Sequence, residues 1–292
     1  MRTVLLGPAG QLGSDILAAN TRRGDPLAIT PVGRSVVDLT DLDAAASVLR
    51  DVEFDCLINC ASYHKTDEVE DNAQLAFKIN AHLVRMLAEL CVAKSARFVH
   101  ISTDYVFGAQ SKRTPLNEDD GKAPVNVYGA SKAMGEDLAL LTGADVLILR
   151  VASLFGVAGA SGKGGNFVET MIRLAKEKGK LTVVADQVMS PTATADIADT
   201  LLTMLVDHAP PGIWNVVNSG AATWYDFARR IVARAVPGAT VAPVSSSEYR
   251  TAARRPAYSV LDNGKVSAAL GPMRPWQEAL DRYLLAKGYT IH

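Results

Sequence analysis

Along the first half of the chain, short apolar runs alternate with longer stretches whose apolar positions recur every three or four residues. The runs "TVLLG", "PLAITPV", "DCLINCA", "ARFVHIST" and "DVLILRV" are apolar at most positions rather than at every second one. That pattern predicts strands covered on both faces. Between them, "QLGSDILAANTRR", "DLDAAASVLRDV", the long "AQLAFKINAHLVRMLAELCVAKS" ending in Lys94, and "VYGASKAMGEDLALLTG" carry helical periodicity. Gly143 is the expected C-cap of the last of these. A loop rich in Gly, Pro and Asp covers 108–124. Strands alternating with helices in this way predict a parallel, doubly wound α/β sheet.

After Arg150 the alternation loosens. "GASGKGG" at 159–165 reads as a flexible loop, "NFVETMIRLAKEKGK" as a helix, and "LTVVADQVMSPT" as a strand and turn. "ATADIADTLLTMLVDH" reads as a helix with Thr194 as a candidate cap, "GIWNVVN" as a strand, and "TWYDFARRIVARA" as a helix. The tail, with "ARRPAYSVLD" and "PWQEALDRYLLAKG", predicts loop, short strand and terminal helix. The first domain is therefore expected over 1–153, with later sheet elements near 181–217. A smaller, interleaved lobe is expected over 154–292.

Composition narrows the function classes. The chain has 292 residues, 48% of them apolar, enough for a sizeable core, and a net charge of −1. A binder of polyphosphate backbones is usually basic, so nucleic acid is not an expected partner. The most apolar window, "DVLILRVASLFGVAGA", contains Asp145 and Arg150 and is not a membrane span. Met1-Arg2 leads directly into the first strand, so no signal peptide is expected and the cytoplasm is the expected compartment. Cys56, Cys60 and Cys91 sit in apolar contexts without CxxC spacing and read as reduced core thiols. No metal-ligand cluster is visible.

The chemistry starts at "LLGPAGQLGSD", where Gly7, Gly10 and Gly13 follow the first strand and open the first helix. There, one glycine permits a tight turn, the next a close approach to a pyrophosphate, and the third close packing of helix on strand. This is the dinucleotide cradle of a Rossmann-like fold. Tyr128 and Lys132 in "NVYGASKAMGED" are four residues apart and share one helix face. Tyr283 and Lys287 repeat that spacing. Only the first pair follows a strand ending in a hydroxyl, Thr103 of "ISTDY". Reduction of a ketone needs a proton for the oxygen. A tyrosine can give it if a nearby ammonium favours the phenolate. Thr103, Tyr128 and Lys132 are the candidate catalytic set; Tyr283 and Lys287 are read as an ordinary helix face.

The GxxGxxG spacing with this trio resembles the extended short-chain dehydrogenase/reductase family. The stretches "NCASYHKTDEVED", "FKIN", "STDYVFG", "GNFVETMIRLAKE", "VVADQVMSPT" and "ARRPAYSVLD" resemble its dTDP-4-dehydrorhamnose reductase branch over about residues 1–285. The resemblance implies hydride transfer from NADPH to the 4-keto group of a nucleotide-linked 6-deoxy sugar, with NADH left open as donor. It implies cofactor contacts at Gly7, Gly10, Gln11, Leu12, Gly13, Asp38, Leu39, Cys60, Ala61, Ser62, Tyr63 and Asn80, besides Tyr128 and Lys132. Arg34, where an acidic residue would suit NAD, is either a partner for a 2′-phosphate or a surface arginine. Asp38 either contacts adenine or caps the next helix. Asn80 either supports the active-site region or bonds backbone. Implied substrate contacts are His64, Thr103, Asp104, Tyr105, Val106, Ser153, Asn166, Phe167, Gln187 and Thr192. Arg254 or Arg255 would meet the diphosphate.

The sugar half departs from the branch: "RVASL" puts Ser153 where a tryptophan is usual, and His64 and Tyr258 also differ. Another keto sugar, or an epimerase, therefore stays open. So does a non-catalytic NAD(P)-binding subunit resembling methionine adenosyltransferase β. The run Thr103-Asp104-Tyr105 lacks the glutamate that the related dehydratases carry, which speaks against dehydration. A homodimer is compatible with the sequence.

Overall fold

The computed structural model describes residues 1–159 and 165–292, so most of the expected loop "GASGKGG" lies outside the described residues. The first half supplies β1 (Arg2–Leu6), β2 (Ala28–Val32), β3 (Cys56–Asn59), β4 (Arg97–Thr103) and β5 (Val146–Val151). The second half supplies β6 (Leu154–Phe155), β7 (Lys180–Val184), β8 (Val188–Met189), β9 (Thr192–Ala193), β10 (Gly212–Asn215), β11 (Ala222–Thr223) and β12 (Thr240–Val244). The central sheet runs β10-β5-β4-β3-β1-β2, all parallel. Of the late elements expected to join it, β10 does so; β7 pairs with β12 outside it.

The helices are α1 (Gln11–Arg22), α2 (Leu42–Arg50), α3 (Thr66–Asp71), α4 (Ala73–Phe77), α5 (Leu83–Ala93) and α6 (Val127–Leu140), then α7 (Phe167–Lys178), α8 (Thr194–Val206), α9 (Trp224–Ala235), α10 (Gly264–Leu270) and α11 (Trp276–Ala286). Residues of β5 divide between two cores. Leu147 and Leu149 pack with Ile16 of α1 and Ile197, Leu201 and Leu202 of α8. Val146 and Ile148 pack with Leu83, Leu87 and Ala139 on the other side. Both faces are covered, which is why these strands are apolar without alternation. A separate core holds α7, α9 and α11 together.

Three local expectations are corrected. The long helix before β4 is broken by a π turn at Lys78–His82 and preceded by the short α3. Thr194 does not cap α8: the N-cap is Ala193, and the Thr194 hydroxyl donates to Asp15 of α1. The helix α6 ends at Leu140, and Gly143 (φ +73°) closes the turn beyond it instead of serving as the cap.

Candidate active site

Gly7 follows β1 with φ +76°, a conformation glycine adopts without strain. A Cβ there would lie 3.1 Å from Ala61 N and Cys60 C, and a Cβ on Gly13 would lie 2.2 Å from the Gly7 carbonyl oxygen. The loops after β1 and β3 therefore touch only because Gly7 is bare, and α1 seats on the turn only because Gly13 is. Gly10 is the N-cap of α1, and no side chain caps that helix. Its first N–H groups and the positive end of its dipole are left for an anion. Leu12 is sunk in the core beneath, and Gln11 accepts from Gly156 N at 2.9 Å. The chain goes from β1 outward to β2 and then back to β3, so the cradle sits at the point where the sheet order reverses.

Arg34 and Asp38 are exposed after β2, and Leu39 packs against the core. Asp38 does not cap the next helix; Asp41 does, accepting from Ala44 N at 3.0 Å. Hydrogen bonds from Thr40 hold the Asp38 carboxyl below its ordinary range, with the charges of Arg34 and Lys78 adding to the effect. The half-buried run Cys60, Ala61, Ser62, Tyr63 and His64 follows β3. Asn80, turned inward by the π turn, accepts from Tyr63 N at 2.9 Å and donates to Tyr63 O at 3.0 Å and to Ser131 Oγ at 3.0 Å. It fastens that run to α6.

The strand β4 ends at Thr103, and Asp104–Val106 form a 3-10 turn. The helix α6 presses on this turn: a Cβ on Gly129 would lie 2.0 Å from the Tyr105 carbonyl oxygen. That approach brings the Tyr128 phenol under the influence of Thr103, whose hydroxyl itself donates to Asp104 Oδ1 at 3.1 Å. The rings of Tyr105 and Tyr128 meet edge-on at 5.7 Å. Burial pushes the Tyr128 phenol up to about 12, against the pull of Thr103. The expected ammonium effect on Tyr128 is not what this structure displays, because Lys132 is engaged elsewhere. Its Nζ donates to Ile101 O at 2.6 Å and lies 3.0 Å from His100 Nε2. Burial draws Lys132 down to about 8, opposed by the Glu136 charge.

Asp104 is pushed up to about 6 by burial, although Ser259 and Thr103 both hydrogen-bond to it. Asp104, Tyr105, Ser153, Gln187, Trp224 and Ser259 line one pocket beside Tyr128. Ser153 sits there with φ +44°, a left-handed conformation that non-glycine residues rarely take. Phe167 stands behind Trp224, ring to ring at 4.7 Å. Arg255 reaches Asp67 with Nη2 at 2.7 Å and leaves Nη1 buried without a partner, while Arg254 is exposed. Three expected contacts are placed otherwise. The Val106 side chain is fully buried among Phe107, Leu116 and Leu261. Thr192 is fully buried and donates to Ser190 O. Asn166 caps α7 and bonds Gly156 O and the Tyr283 hydroxyl. Tyr283 in turn donates to Glu169 at 2.6 Å, and exposed Lys287 reaches Val157 O, so the second Tyr–Lys pair shares no site. Asn59, Asp67 and Ser259 lie inside stretches that carry the family resemblance but have no role of their own there, and Trp224 and His100 read only as part of a helix and a strand. Among the described residues, no group of three or more His, Cys, Asp or Glu is placed to hold a metal ion, and no helix is long and apolar enough to cross a membrane.

A family model described as the RmlD substrate binding domain matches residues 1–288. The chain belongs to this family. It is 38% identical over 282 residues to the dTDP-4-dehydrorhamnose reductase of Mycolicibacterium smegmatis, covering 96% of this chain and 84% of that protein. It is 36% identical over 284 residues to a Streptomyces antibioticus protein named "Probable dTDP-4,6-dihydroxy-2-methyloxan-3-one 4-ketoreductase", covering 96% and 93% of the two chains. Among solved structures, the dTDP-4-dehydrorhamnose reductase of Bacillus anthracis in complex with NADP superposes with a TM-score of 0.87 at 33% identity, covering 98% of this RmlD-family chain and 99% of that one.

Proposed function

We propose that this RmlD-family chain reduces the 4-keto group of dTDP-4-dehydro-L-rhamnose with NADPH, yielding dTDP-L-rhamnose. The observation that carries the reading is the meeting of Thr103 and Tyr128 at the end of β4, with Lys132 one turn along α6, beside a glycine cradle. The cradle fits a dinucleotide. Side chains at Gly7 and Gly13 would strike the backbone that shapes it, and the uncapped N-terminus of α1 offers donors to a pyrophosphate. Residues 1–153 hold the cofactor, through Gly7, Gly10, Gly13, the Cys60–Tyr63 run and Arg34. Residues 154–292 mainly cover the sugar nucleotide and return β10 to the sheet. Free Cys56, Cys60 and Cys91 fit a reducing, cytoplasmic setting.

NADPH supplies the hydride when bound. Tyr128 gives its phenolic proton to the sugar oxygen, and Thr103 holds that oxygen and orients the phenol. For the Lys132 ammonium to stabilise the phenolate left behind, Nζ must turn from Ile101 O and His100, which hold it in this structure. Ser153, Gln187 and Trp224 shape the pocket for the sugar, and Arg255, with one buried nitrogen unpartnered, takes the diphosphate. The likeness to the Streptomyces antibioticus protein keeps a second reading in view, reduction of a differently substituted dTDP-linked keto sugar. Absorbance of NADPH decides between them when each sugar nucleotide is offered in turn. Turnover is expected first with dTDP-4-dehydrorhamnose, and no oxidation with any keto sugar would overturn the reading. Tyr128→Phe is expected to lower kcat by on the order of 10² or more while cofactor binding is retained. Near-normal turnover in that variant would remove Tyr128 as the proton donor.

A further inference from the structure

Lys132 is 1% exposed, so where its amine sends and accepts hydrogen bonds decides what charge it can hold. On one side Nζ donates to Ile101 O at 2.6 Å. On the other it faces His100 Nε2 at 3.0 Å. The His100 ring is fully buried on β4, stacked on Phe98 with centroids 6.0 Å apart. Its other nitrogen, Nδ1, faces Asn59 Nδ2 at 3.4 Å, from the paired position on β3. The Asn59 amide cannot turn over, because its Oδ1 accepts the Ala61 N–H at 3.0 Å.

These bonds have a direction. Asn59 presents N–H to Nδ1, so Nδ1 must accept. A neutral imidazole with Nδ1 accepting carries its proton on Nε2. That N–H points at Lys132 Nζ. An ammonium has three donors and no acceptor, so it would meet this N–H donor against donor. An uncharged amine has a lone pair and accepts it. We propose that Asn59 and His100 control the charge of Lys132, Asn59 fixing the Nε2–H tautomer and that tautomer selecting the neutral amine. If the ammonium forms, the ring must switch to Nδ1–H, which then faces the Asn59 N–H. His100 is a positioning residue here: it acts on the reaction only through Lys132.

The surroundings agree. Burial, and then the Lys132 charge, hold His100 well below the ordinary imidazole value, so the ring is neutral in either arrangement. Burial also lowers Lys132, and the Asn59–His100 array acts in the same direction. The groups facing Lys132 from the other elements are the Cys60 thiol, kept neutral by burial, and the Ile101 carbonyl. Along its own helix they are Tyr128 and Glu136. The Glu136 carboxylate favours the ammonium, but it is itself bound to Arg150 Nη2 at 2.8 Å. The amine is thus buried without the full penalty of an ammonium, and its charge is available only below a lowered pKa.

The proposal rests on Lys132 being the amine of the reducing pair, and its test separates the two. In protein labelled with ¹⁵N-histidine, the ring nitrogens of His100 are read by NMR at pH 9, where Lys132 is uncharged. The Nε2–H tautomer is expected, and Nδ1–H would overturn the inference whatever the enzyme reduces. Asn59→Asp keeps an oxygen for Ala61 N and gives Nδ1 an acceptor. The ring is expected to turn to Nδ1–H and the basic limb of kcat/KM to move up by about one pH unit, so that tenfold more activity survives there. A limb that stays in place, with reduction proceeding normally, would also overturn it and leave the proposed reaction standing.

Discussion

Asp104 shows what a single side chain does to this site. It sits at the end of β4 between Thr103 and Ser259, and burial raises its carboxyl to about 6. A carboxyl raised on folding binds its proton more tightly in the native state than in the unfolded one. Between its ordinary value of about 3.9 and about 6, stability therefore falls as pH rises. Asp104→Asn removes that dependence. The stability difference between pH 4 and pH 7, read from urea midpoints, is expected to shift in favour of pH 7 in the variant by about 2–3 kcal/mol. An unchanged difference would mean that Asp104 is not protonated in that window. The sequence offered Asp104 as a pocket residue, but its partner Ser259 lies 155 positions away in "ARRPAYSVLD", with nothing local to pair the two. The same holds for Trp224, which reaches the pocket from the start of α9.

At the scale of elements, legibility followed locality. The strands of the first half and the glycine turn could be read because their determinants lie within a few residues: apolar runs, and a glycine where a Cβ has no room. The π turn at Lys78–His82 could not, since it answers to packing from elsewhere. Gly135 of α6 lies against it, and a Cβ there would come 2.1 Å from the Asn80 carbonyl oxygen. Asn80 in turn holds Tyr63 and Ser131. The sequence left Asn80 between an active-site role and a backbone one; its side chain bonds both the Tyr63 backbone and the Ser131 hydroxyl of α6. Gly135→Ala is expected to push α6 off this turn, costing about 1–3 kcal/mol as overpacking does. It is also expected to weaken cofactor binding by loosening the Cys60–Tyr63 run. Gly121→Ala, with nothing within 4 Å of the new Cβ, is the control and is expected to leave the melting temperature nearly unchanged. Equal melting temperatures for both variants would show that the contact at Gly135 relaxes freely.

The whole molecule does not divide cleanly at residue 153. A cut there, without the later elements expected near 181–217, passes through the first core. Leu147 and Leu149 of β5 are covered by Ile197, Leu201 and Leu202 of α8, and Trp214 of β10 belongs to the same cluster. β10 also pairs with β5 from Gly212 to Asn215 and so occupies what would otherwise be a sheet edge. The halves are joined again at the site, where Asn166 reaches Gln11, Thr194 reaches Asp15, and Arg255 reaches Asp67. A fragment of residues 1–153 would keep the glycine cradle and the Tyr128–Lys132 helix but expose one face of its sheet and the edge of β5. A parallel sheet needs both faces covered, and a bare apolar edge invites association. The fragment is therefore expected to lack a cooperative urea transition and to associate in solution, while the full chain unfolds cooperatively. Circular dichroism and light scattering on the two read this out. A monomeric fragment with a sharp transition would mean that the first half is a folding unit by itself. In that case the second half would serve the sugar alone, and α8 and β10 would be dispensable to the cofactor domain.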